Sequence, residues 1–137
     1  MSSKADIHKA GGVLIKDRSF LVTRSKGKEI FVAPGGKLEG NETAVEALIR
    51  EMMEEVQLEI IEADLEPFGT YTAQAAGNES RTLEMDVFLI HKAHGDPIPS
   101  NEVEEIMWVN TQITGIQIGS IFKHDVMPKL KELDLID

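Results

Sequence analysis

Glu51, Glu54 and Glu55 fall within about one turn of each other on a predicted helix. Hard oxygen donors grouped this closely suit Mg²⁺, with Mn²⁺ as the other candidate. Mg²⁺ binds carboxylates and keeps several of its waters. The three side chains could gather one to three ions, which could neutralise an anionic substrate, orient a water and lower its pKa. Without cations the cluster repels itself. The whole chain points the same way, because 24 Asp and Glu against 14 Lys and Arg give a formal net charge of −10. That surface disfavours nucleic-acid polymers as partners. It leaves an anionic small molecule dependent on metal ions or on local Arg and Lys.

A helix with several Glu on one side is ordinarily just a solvated face. Here the carboxylates have company at fixed offsets. Gly36 is followed after five residues by Glu42, and after seven more by Arg50-Glu51-Met52-Met53-Glu54-Glu55-Val56-Gln57-Leu58. This 23-residue segment resembles the Nudix box, in which Gly, Glu and an Arg-Glu-apolar-x-Glu-Glu-x-Gly-apolar run recur at this spacing. Gly36, Glu42, Arg50, Glu51, Met52, Glu54, Glu55 and Leu58 match, and Gln57 stands where the pattern has Gly. A Gly after a helix often takes a left-handed conformation, so Gln57 is expected to carry some strain there without removing a chemical group.

The resemblance implies metal-dependent hydrolysis of a diphosphate linkage in a nucleotide-like substrate. The small chain favours a nucleoside triphosphate, with an oxidised purine nucleotide as one candidate, cleaved to monophosphate and pyrophosphate. It also implies that Gly35 supplies a carbonyl ligand, that Arg50 orients Glu51, and that Glu42 supports the arrangement. Glu54 and Glu55 join Arg50 as catalytic candidates. A carboxylate outside the box often completes such sites. Glu102, six residues before Trp108, is similar in placement to that ligand or base, and Glu104 and Glu105 are its rivals. Arg24 and Lys37 are candidates for substrate phosphates, and Phe31 for stacking on a base, although a lone Phe more often belongs to the core. His8, His91, His94 and His124 show no ligand spacing and read as surface residues.

The elements that must hold these groups are readable around the box. Gly12 to Ile15 and Ser19 to Arg24 read as strands joined by the polar Lys16-Asp17-Arg18, and Ile30 to Val32 is a short apolar run stopped by Pro34-Gly35-Gly36. The helix runs from Thr43 to Val56. Thr43 and Glu46 have capping-box spacing, and Val45, Leu48, Ile49, Met52 and Val56 form its apolar stripe. Leu58 to Ile61, Gly69 to Ala73, Leu83 to Ile90 and Glu105 to Val109 have strand character, and Gln74 to Ser80 reads as a loop. Ile121 to Leu133 reads as a helix kinked or started by Pro128. Strands before and after one central helix predict an α/β (α+β) fold, and the resemblance specifies an α/β/α sandwich around a mixed sheet.

With 137 residues, no repeat and no linker-like tract, one domain is expected. The absence of Cys excludes disulfides and thiolate metal sites. The polar start and lack of long apolar runs favour a cytoplasmic protein with no membrane partner, as monomer or homodimer. Two other classes compete with an enzyme. A non-catalytic nucleotide-binding or regulatory domain would explain Gln57, and an acidic interaction domain would have no ligand site.

Overall fold

The computed structural model describes residues 6–75 and 78–137. Strand β1 (Ile7–Lys16) is the spine of the sheet. It pairs in parallel with β6 (Asn78–Ile90) from Ile7 to Leu14. Its other edge is shared: β4 (Gly35–Lys37) pairs with Lys9 to Gly11, and β2 (Ser19–Ser25) with Ile15 and Lys16. Beyond β6 lies β5 (Leu65–Ala75), and β2 pairs with β3 (Ile30–Val32) and β7 (Val103–Val109). β3 in turn pairs with β8 (Gln117–Ile118). The sheet is mixed, with a helix on each face, as expected.

Helix α1 (Ala44–Val56) begins as its sequence dictates. The Thr43 side chain accepts from the Glu46 N–H, and the Glu46 carboxylate accepts from the Thr43 N–H. Two of the helix's four orphan donors are satisfied this way. Leu48, Met52 and Val56 are fully buried with Leu21 in one core cluster, against which Trp108 packs. Gly12 lets α1 come close: a Cβ there would lie 2.6 Å from Ile90 Cδ1 and 3.1 Å from Leu48 Cδ1. The opposite face is covered by a π-helical turn at Phe122–Val126 leading into α2 (Met127–Glu132). Phe122, Val126 and Leu130 pack there with Val13, Phe20 and Val22.

Several elements depart from expectation. Leu58 to Ile61 is not a strand. Leu58 and Ile60 are buried, but the only ladder contact is an isolated bridge from Glu59 to His94. Strand β1 starts at Ile7, before the Gly12 expected. The segment read as the Gln74–Ser80 loop is strand through Ala75 and again from Asn78, and residues 76–77 lie outside the described set. The last helix is π-helical before Pro128, which sits in the first turn of α2 and so marks a start.

Gln57 closes α1 at φ 57°, ψ 34°, the left-handed geometry where the family pattern places Gly. Its N–H reaches Met53 O at 3.1 Å. Gln57→Gly is expected to raise stability by up to about 1 kcal/mol and to leave turnover within a few-fold. Thermal melts and a steady-state assay check both halves. A large gain in turnover would show that Gln57 had disabled the site.

Candidate active site

The strand β4, which sequence patterning did not reveal, fixes the loop end of the site. Gly35 has φ +150°, and a Cβ there would lie 2.0 Å from Ala10 O, so only Gly fits against β1. Gly36 meets the helix: a Cβ would lie 2.8 Å from the Glu51 carboxyl carbon. The two glycines therefore bring loop backbone and helix carboxylates together. Gly36→Ala should push Glu51 aside and cut turnover by a few-fold to about tenfold while largely sparing the melting temperature. A variant with wild-type kcat would show that the position of Glu51 is not critical.

Arg50 is the hub. Its Nε donates to Glu42 Oε2 at 2.7 Å and its Nη2 to Glu42 Oε1 at 3.0 Å, a bidentate pair. Nη1 donates to Glu51 at 2.5 Å and to Glu54 at 3.2 Å, while Nη2 also donates to Lys37 O at 3.1 Å. The guanidinium thus ties helix to loop. Arg50 holds the Glu42 carboxyl down at about 2, helped by the Glu39 N–H. Its own pKa is raised, with Glu42 the main cause.

Glu55 is in a different situation. Its Oε1 accepts from the Gly35 N–H at 2.8 Å, and burial pushes its carboxyl up to about 7 against that hydrogen bond. The charges of Glu51, Glu54 and Glu102 push the same way. Burial also raises Glu51, opposed by Arg50. Both Glu54 and Glu55 lie in the last turn of α1, which carries no basic residue, so they sit at the negative end of the helix dipole. A crowded set of oxygen donors at that position, with Glu55 largely buried and Glu54 exposed, is costly without a cation, and its chemistry fits Mg²⁺ or Mn²⁺.

The segment bearing Glu102 is docked onto the same helix end. Ile98 N–H donates to Val56 O, Ser100 N–H to Glu55 O, and the Ser100 hydroxyl to Glu54 O. These bonds satisfy terminal carbonyls of α1 and bring Glu102 close enough for its charge to act on Glu55. Its rivals are otherwise engaged. Arg24 Nη2 donates to Glu104 at 2.7 Å and Nε to Glu105 at 3.2 Å. Arg24, expected at substrate phosphates, is thereby already neutralised by two carboxylates. Phe31 is a correction: it is 4% exposed inside the core, so its ring has no open face for a base. Lys37 is exposed on β4, within the box.

His8, read as a surface residue, is partly exposed and sits in a cluster that the sequence did not display. Its Nε2 lies 2.8 Å from Asp86 and 3.6 Å from Glu84, and Thr70 also donates to Asp86. Among the described residues this is the one trio of metal-binding type whose ligand atoms all lie within 4.8 Å. It shares no residue with the box, where Arg50 gathers Glu42, Glu51 and Glu54 and the Gly35 N–H holds Glu55.

On the α2 face of the sheet, a cavity of about 520 Å³ opens between β1, β3, β6 and the 116–124 segment. Its wall is largely apolar, including Val32, Leu83, Met85 and Ile118, and Lys9, Lys123 and His124 also line it. Among the described residues no Asp or Glu lines it. Lys9, which the sequence reading missed, adjoins the carboxylates closely enough to feel Glu55 and Glu51. A Lys within the apolar strand β1 was the available signal.

A family model described as NUDIX domain matches residues 7–128. Among solved structures, a MutT NUDIX hydrolase from Burkholderia pseudomallei superposes with TM-score 0.72 at 18% identity, covering 92% of this chain and 95% of that one. A Chromobacterium violaceum protein provisionally assigned to the nudix hydrolase family gives TM-score 0.70 at 25% identity, over 97% and 81%. The E. coli ORF135 protein gives 0.68 at 19%, over 93% and 88%. No curated protein matches the chain.

Proposed function

We propose that this chain, which belongs to the Nudix family, is a pyrophosphohydrolase that cleaves a nucleoside triphosphate to the monophosphate and pyrophosphate, with an oxidised purine nucleotide among the candidate substrates. The observation that carries this reading is the box itself, with Arg50 joining Glu42, Glu51 and Glu54 and with Glu55 held on the Gly35 N–H, while Lys9, which feels the charges of Glu55 and Glu51, lines a cavity that no acid side chain of the described residues enters. A phosphate chain crossing from one to the other would place its anhydride bonds at the box and the nucleoside in the apolar space.

The donor set of Glu51, Glu54, Glu55, Glu102 and the Gly35 carbonyl would hold divalent cations. When bound, such ions supply charge neutralisation and a water of lowered pKa. The residues do the rest. Arg50 keeps Glu51 against Gly36 and ties Glu54 to the same cation, so the helix and loop sides stay in register. Glu55, poised near neutrality, is suited to accept a proton from a water beside it. Glu102, whose charge reaches Glu55 from the docked loop, is the better off-box candidate, because Glu104 and Glu105 are paired with Arg24.

Among the described residues no helix is long and apolar enough to cross a membrane. The test is phosphate release from a panel of common and oxidised nucleoside triphosphates, nucleotide sugars and ADP-ribose, each with Mg²⁺ or Mn²⁺. Preferential cleavage of a triphosphate, with pyrophosphate as co-product, is expected. Turnover confined to nucleotide sugars or ADP-ribose would overturn the substrate assignment, and no turnover with either metal would overturn the catalytic one.

A further inference from the structure

Lys9 and Lys37 are directly opposite each other in the β1–β4 ladder. Like charges in that position destabilise a sheet by their repulsion. Lys9 bears a further burden, being half-buried at the wall of the cavity. Burial lowers its pKa, and Lys37 and Lys28 lower it further. Three cations thus converge in a chain of net charge −10. Of the three, Lys9 links the two regions, because it lines the cavity and feels the charges of Glu55 and Glu51 on α1. No hydrogen bond among the described residues engages the Lys9 ammonium, so its donors remain open toward the cavity.

We propose that Lys9, across the ladder from Lys37, is a specificity-determining residue that holds the phosphoryl group joining the anhydride to the moiety in the cavity. An ammonium is a compact point charge with three donors, suited to a phosphate oxygen. A phosphoryl group between the two lysines would relieve their repulsion, and it would lie where a nucleotide passes from box to cavity. The arrangement selects for an anionic group at that junction. A substrate with a neutral first linkage would leave the ammonium desolvated and unpaired. The proposal rests on the nucleotide-hydrolase reading and extends it to a residue outside the box.

Lys9→Met keeps length and volume and removes the charge, while Lys9→Arg retains the charge. On the nucleotide best cleaved in the panel, Lys9→Met should raise KM about tenfold and leave kcat within about threefold, a loss of binding shared by ground and transition states. Lys9→Arg should recover most of the loss. A second readout needs neither turnover nor metal. Calorimetry with AMP, GMP, CMP and UMP beside their free nucleosides should show that Lys9→Met weakens the best monophosphate about tenfold and leaves its nucleoside unchanged. The melting temperature of Lys9→Met should equal or exceed that of the wild type, since a like-charge cross-strand pair and a half-buried ammonium are gone. Equal weakening of monophosphate and nucleoside would mean that Lys9 only shapes the cavity, and would overturn the proposal. Unchanged KM and unchanged monophosphate affinity would overturn it too. If the wild type cleaves no nucleotide and binds no monophosphate, the underlying reading fails and the proposal falls with it.

Discussion

Glu55→Gln and Glu54→Gln should each cut turnover by at least about a hundredfold, with Glu55 the worse loss. Both changes are nearly isosteric, so packing around Met52 and Val56 should survive. In the metal-free protein each removes a negative charge from the C-terminal end of α1, where the helix dipole already disfavours it. Stability without metal should therefore be unchanged or higher. A solvated acidic face predicts neither the loss of turnover nor the gain in apo stability.

The pH dependence sharpens this expectation. The Glu55 carboxyl is raised from 4.5 to about 7 in the folded protein, chiefly by burial. A carboxyl with a raised folded pKa binds its proton more tightly folded than unfolded. Its contribution to stability is therefore fully present below 4.5 and is lost as pH rises through about 7. The metal-free wild type should lose melting temperature across that window, and Glu55→Gln should flatten the loss. Mg²⁺ or Mn²⁺ should restore the wild type at pH 7.5 and act less on the variant. The measurement is a set of melts from pH 5 to 8 with and without metal, beside a steady-state assay. Wild-type turnover in both variants, together with a wild-type melt indifferent to metal, would overturn the catalytic reading.

The sequence is most legible where local signals agree. α1 carries a capping box, an apolar stripe and a polar face, and it forms within a residue of where those signals place it. The left-handed Gln57 was likewise readable, from the glycine expected at that position. Its observed geometry shows the turn kept despite the substitution, which leaves the regulatory alternative without its one support. The sequence is least legible where long-range pairing decides. β4 is Gly-Gly-Lys, a poor strand by composition, and exists because β1 accepts it edge to edge. The His8 side chain is 76 or more residues from Glu84 and Asp86 in sequence and meets them only because β1 and β6 run parallel in register. The surroundings of Phe31 and Arg24 share one cause that the sequence did not display. Both lie near the cleft in sequence order, but the β2–β3 and β2–β7 ladders turn one into the core and give the other two carboxylate partners.

The same ladders decide which carboxylate of the 102–105 segment should matter. β2 pairs Arg24 with Glu105, and a register shift at Ser25 lets Glu104 reach the same guanidinium. Glu102 lies before that shift, in the turn whose backbone is anchored twice: its carbonyl accepts from the Lys26 N–H, and Ser100 is bonded to the end of α1. Glu102→Gln should therefore lower kcat by about tenfold to a hundredfold with KM changed only a few-fold, because an off-box ligand or base acts on the attacking water. Glu105→Gln should act instead on the hold over Arg24, with a smaller effect on turnover and a modest one on the melting temperature. Ser100→Ala, which frees the loop but keeps Glu102, should fall between them. Its loss should come from misplacement of the loop, so Glu102→Gln should add little on top of it. A silent Glu102→Gln beside a crippled Glu105→Gln would reverse the assignment, and would make Arg24 the anchor of a site carboxylate.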